Sequence, residues 1–143
     1  MRDLIDQLRA GNDGIETFRA LHAAWASPFS LRPVGLLLAY KVALRSTGPI
    51  LESGSGLSSV VLAMAGEKIG QPVLSLESVE EYAQRTRDTL AALKLPNSVR
   101  LCGIAANESY DTSLNGTYGT FVHDGPMTAS GRTFHRRARR LRS

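Results

Sequence analysis

The chain has 143 residues, of which 43% are hydrophobic and 21% charged, a balance suited to one water-soluble domain with its own core. A single cysteine, Cys102, excludes an internal disulfide, and its apolar surroundings read as those of an inert buried thiol. The formal charge of +4 is local, because Arg132, Arg136, Arg137, Arg139, Arg140 and Arg142 crowd the last dozen residues; the other 11 basic and 13 acidic side chains give −2.

From the N-terminus, residues 1–10 read as a short polar helix stopped at Gly11. No basic-then-apolar leader precedes it, so a cytoplasmic location is the default expectation. A second helix runs from Asp13 or Gly14 to Trp25, with Phe18, Leu21 and Trp25 on one face. His22 lies beside that stripe and reads as a packing residue. Ser27-Pro28 breaks the helix, and Ser30 is placed to cap a third one over Leu31 to about Arg45, with Pro33 in its first turn. Leu31, Val34, Leu38 and Val42 form its expected apolar stripe. The run Val34 to Tyr40 is far too short to cross a bilayer.

From Ile50 the pattern alternates between strand and helix. Ile50-Leu51 is a short apolar strand ending in Glu52; Ser53-Gly54-Ser55-Gly56 is a turn, and Val60 to Ala65 reads as the buried helix that follows it. Gly70-Gln71-Pro72 breaks the chain before a second strand, Val73 to Leu76, which closes in Glu77. A helix over Glu80–Leu93 carries Tyr82, Thr86, Leu90 and Leu93 at helical intervals. A third strand is expected over Val99–Ile104, and a fourth at Thr120-Phe121-Val122, closing in His123-Asp124-Gly125-Pro126. Such βαβ units imply a parallel sheet, and a fourth strand returning beside the first gives the order 3-2-1-4, with a ligand crevice at the reversal. Two sites keep bland alternatives: Glu77 suits a helix start, and Asp124-Gly125-Pro126 is turn chemistry by itself.

The run Glu52-Ser53-Gly54-Ser55-Gly56 resembles the first motif of the class I S-adenosylmethionine-dependent methyltransferases. An acid at the loop mouth would repel a pyrophosphate but suits a ligand with an ammonium group, and Ser59 stands where a dinucleotide fingerprint has its third glycine. Glu77 lies where a ribose hydroxyl pair would be gripped by a carboxylate. The resemblance spans about Pro49 to Pro126 and implies a Rossmann-like α/β core. It implies that Glu52, Ser53, Gly54, Ser55, Gly56 and Glu77 hold S-adenosylmethionine. Ser78 and Val79 would flank the adenosine, and Ala105 to Asn107 would lie by the adenine. Asp124 and His123 would face the methyl acceptor, without a metal. The helical segment 1–47 would cover the cofactor or recognise the acceptor, and 48–126 would form the core.

In a complete member three further strands follow the fourth. Here 17 residues follow Pro126, and this tail (127–143) is arginine-rich. The expectations are a fragment, a chain completed by a partner or second copy across the exposed sheet edge, or a remnant that binds without turnover. A non-catalytic nucleotide-binding or interaction module is the alternative to an enzyme. The tail could touch nucleic acid phosphates, but lacks interleaved aromatics for stacking on bases.

Overall fold

Apolar residues three and four apart build the N-terminal helices. The first, α1 (Arg2–Arg9), buries Ile5 and Leu8, and the second, α2 (Ile15–Trp25), buries Phe18, Leu21 and Trp25. The third, α3 (Pro33–Ala43), begins with proline in its first turn, where a missing N–H costs nothing. These elements belong to a computed structural model that describes residues 1–95 in full and the backbone of two later strands, 98–101 and 120–123.

Two local expectations for α3 are corrected. Ser30 does not cap the helix; its hydroxyl donates to the Ser27 carbonyl at 3.1 Å, and Arg32 stands at the N-cap without a side-chain bond. The stripe Val34, Leu38 and Val42 faces outward, while Leu36, Ala39, Tyr40 and Ala43 are buried. The helix is apolar almost all round, so two stripes with helical spacing compete. The one carrying Tyr40 packs inward, its ring 5.6 Å from that of Phe18.

The next elements are β1 (Ile50–Ser53), α4 (Leu57–Ile69), β2 (Val73–Glu77) and α5 (Glu80–Leu93), followed by β3 (Ser98–Leu101) and β4 (Thr120–His123). The strands form a four-stranded sheet in the order β3-β2-β1-β4, with every pairing parallel. This is an α/β fold. Helices follow the strands in step: α5 packs on β2 and β3, α4 on β1 and β2, and α3 on α4 while touching β4. Central α4 is buried from Leu57 to Gly66, which accounts for its almost uninterrupted apolar sequence. One core joins Ile5, Leu8, Phe18, Leu21 and Tyr40 of the first three helices to Ile50 and the body of α4. Among the described residues, no helix is long and apolar enough to cross a membrane.

Candidate functional site at the strand ends

The register of the sheet positions the loop. Ser53, the last residue of β1, lies between Leu76 of β2 and His123 of β4. The chain leaves β1 through Gly54 (φ +99°) and Gly56 (φ +149°), backbone conformations that L side chains rarely adopt. Gly54 donates its N–H to the Leu76 carbonyl at 2.7 Å, which extends the ladder one residue past the strand. A Cβ on Gly56 would only touch Trp25, at 3.9 Å, so backbone angle rather than space calls for glycine there. The loop is thereby held over the carboxyl ends of neighbouring parallel strands, where α/β sheets bind ligands.

The two acids that the sequence placed at this site occupy different surroundings. Glu52 is fully buried, and its Oε2 accepts the Ser59 hydroxyl at 2.6 Å and also the Ser75 hydroxyl. The Ser59 oxygen in turn accepts the Gly56 N–H at 3.1 Å. A relay therefore runs from the loop backbone to a carboxylate beneath it, and Glu52 braces the loop from below rather than standing at its mouth. Strand periodicity carried this signal. Ile50 and Glu52 share the buried face of β1 while Leu51 and Ser53 face the other way, and Ser75 is the cross-strand partner of Glu52.

Glu77, at the tip of β2, meets the loop directly. Its Oε2 accepts the Ser55 hydroxyl at 2.8 Å, and its Oε1 accepts the backbone N–H groups of Ser78 and Val79 at 2.8 and 3.0 Å. Those two amides precede α5, so Glu77 also satisfies donors at a helix start. The Thr86 hydroxyl of α5, which donates to the Tyr82 carbonyl at 2.8 Å, lies 3.3 Å from the Ser55 oxygen, so the loop sits close against the helix.

Beside this network lies a cavity of about 40 Å³, lined by Trp25, Phe29, Ser55, Gly56, Tyr82 and Arg85 among others. It has room for a water or two and is far smaller than a nucleoside site. Neither Glu52 nor Glu77 lines it. The end of α2 meets α5 at its wall: the Arg85 guanidinium lies 4.3 Å from the centre of the Trp25 ring and donates to the Trp25 carbonyl at 2.7 Å. At its rim Phe29 pairs with Tyr82, ring centres 6.5 Å apart. Sequence reasoning missed Ser59, Ser75, Phe29 and Arg85. The last two come from distant stretches with no shared motif.

The structure thus brings Ser55, Gly54 and Glu77 together, with the backbone of His123 alongside, and joins the buried Glu52 to the loop through Ser59. Ser78 contributes its amide and is exposed. Asp124, Ala105 and Cys102 lie outside the described residues, as does the arginine tail. No group of three histidine, cysteine or acidic side chains able to hold a metal occurs among the described residues.

No known family profile matches the chain, and no curated protein matches it. Among solved structures, a methyltransferase-like protein from Silicibacter pomeroyi is similar, with 26% identity and a TM-score of 0.41. The similarity covers 57% of this chain and 41% of that one, so this chain matches less than half of that protein's length.

Proposed function

We propose that this chain is the S-adenosylmethionine-binding part of a Rossmann-like class I methyltransferase. One observation carries the reading: the glycine loop after β1 and the acid closing β2 meet at 2.8 Å over adjacent carboxyl strand ends. Fit can be judged from acceptor capacity. A carboxylate offers about four acceptor positions, and Glu77 uses three of them, on Ser55, Ser78 and Val79. One ribose hydroxyl can be accepted without loss, and a second if Ser55 rotates away. Gly54, Ser55 and Gly56 would hold the methionine side of the ligand, Ser53 opens the loop, and Glu52 keeps its shape from beneath.

When bound, S-adenosylmethionine supplies an activated methyl group, so the protein's task is chiefly to place an acceptor in line with it. His123 and Asp124, at the close of β4, are proposed to face that acceptor and to take its proton if it must lose one. Ser78 and Ala105 are proposed to border the adenosine. A cytoplasmic location belongs to the same reading.

A second reading is a module that binds without turnover. It is favoured by the small size of the cavity beside the loop, which has room for a water or two and none for a methyl acceptor. Thermal unfolding with S-adenosylmethionine, S-adenosylhomocysteine and NAD separates these outcomes from a mistaken ligand. At a hundredfold excess over Kd, binding adds about 2.7 kcal/mol and raises Tm by several degrees. Both sulfur nucleosides should give that rise and NAD none; the absence of any shift with the sulfur nucleosides contradicts the reading.

A further inference from the structure

The connection between α2 and α3 faces the glycine loop across the small cavity. Ser27, Phe29 and Ser30 line one wall, and Ser55, Gly56 and Thr86 line the opposite one. A permanently packed interface is filled and mostly apolar, whereas this one is hollow and rich in hydroxyls. Among the described residues, the hydrogen bonds of Ser27, Phe29 and Ser30 stay within the connection. The Ser27 hydroxyl accepts the Phe29 N–H at 3.4 Å, and its carbonyl accepts the Ser30 N–H and hydroxyl at 3.5 and 3.1 Å. Both ends are fixed: Arg85 holds the Trp25 carbonyl, and Pro33 begins α3. Between them Phe29 rests on Tyr82, yet it is 72% exposed. Few ties and little burial mark segments that open at low cost. Ala26, where the chain leaves α2 at φ +51°, is an element-terminal residue of the kind that serves as a hinge.

We propose that residues 27–31 are a strap across the glycine loop that must lift before a nucleoside reaches Ser55 and Gly56, with Phe29 on Tyr82 as its clasp. The inference rests on the ligand reading above and adds a gate to it. A nucleoside approaching the loop from this side needs the volume that the strap takes, since the cavity beneath holds a water or two. The observed affinity is then the intrinsic one scaled by the fraction of chains with the strap lifted. The clasp sets that fraction without touching the ligand.

Titration calorimetry with S-adenosylhomocysteine tests this on the full chain, on Phe29→Ala, and on a Phe29→Cys, Tyr82→Cys pair in a Cys102→Ser background. The cysteine pair is bridged by a short bis-methanethiosulfonate linker and then released with a reductant. Loss of the Phe29 ring should tighten binding about three- to tenfold, the change expected if roughly a tenth to a third of wild-type chains are open. Bridging should weaken binding tenfold or more, with recovery on reduction. Unchanged or weaker binding by Phe29→Ala overturns the clasp, and equal Kd values for the bridged and reduced pair overturn the gate while leaving the ligand reading intact. If none of the unbridged chains binds, the ligand reading falls and takes the strap with it.

Discussion

Glu52 shows how one buried carboxylate can set the shape of a loop it does not belong to. Two serine hydroxyls and, through Ser59, the Gly56 amide converge on it. Removing it strands hydroxyls in a dry interior, a loss with a long-established scale for buried hydrogen-bonded acids. Glu52→Ala should therefore lower the unfolding free energy by about 2–4 kcal/mol, measured by urea denaturation. A change under about 0.5 kcal/mol, the range of ordinary surface substitutions, would deny the brace. Asp13 makes a smaller, pH-dependent contribution. The hydrogen bond from Lys41 holds its carboxyl below the usual aspartate range, against the opposing effect of burial. A lowered folded value stabilises above the unfolded aspartate range, and the gain disappears as pH falls through the folded value. Both side chains are partly exposed, so the contribution is at most about 1 kcal/mol. Denaturation midpoints of wild type and Lys41→Met should differ at neutral pH and draw together in acid; a gap that stays constant contradicts the pairing.

Among the elements, the packing of α4 against the start of β2 depends on a missing side chain. A Cβ on Gly66 would stand 2.6 Å from the Gln71 carbonyl oxygen and 2.7 Å from a Val73 methyl carbon. Gly66→Ala gains up to about 1 kcal/mol in helix propensity but forces backbone apart, at about 1–3 kcal/mol. A net loss of stability is expected on thermal unfolding, and a stabilised variant would show that the helix end moves freely. Much of this level was legible in the residues. The alternation from Ile50 onward, the breaks at Gly70-Gln71-Pro72 and the helical intervals of Glu80–Leu93 all correspond to observed elements. What the residues hid was orientation. In α3 the stripe through Val34 and the stripe through Tyr40 are both apolar, and only the neighbouring helices decide between them. Glu52 was legible as the acid closing the first strand, but not that period-two burial sets its side chain on the strand's inner face. Arg85 and Trp25 meet across sixty residues, beyond the reach of any local pattern.

For the molecule as a whole, the proposed ligand site depends on the meeting of two residues 22 positions apart, Ser55 and Glu77, above a parallel sheet. If Glu77 is the ribose acceptor, Glu77→Ala should weaken S-adenosylhomocysteine binding by about one to two orders of magnitude, as expected for a hydrogen bond to a charged group. Titration calorimetry reads this directly, and an unchanged Kd removes Glu77 from the site. The decisive experiment is an amide NMR titration of the uniformly labelled full chain with S-adenosylhomocysteine. The amides of Gly54, Ser55, Gly56, Ser78 and Val79 should move together and saturate with one Kd. Silence at those five positions, or changes clustered instead around Arg2, Arg9 and Lys94, which line a separate hollow between α1 and the end of α5, would contradict a sulfur-nucleoside site at the strand ends.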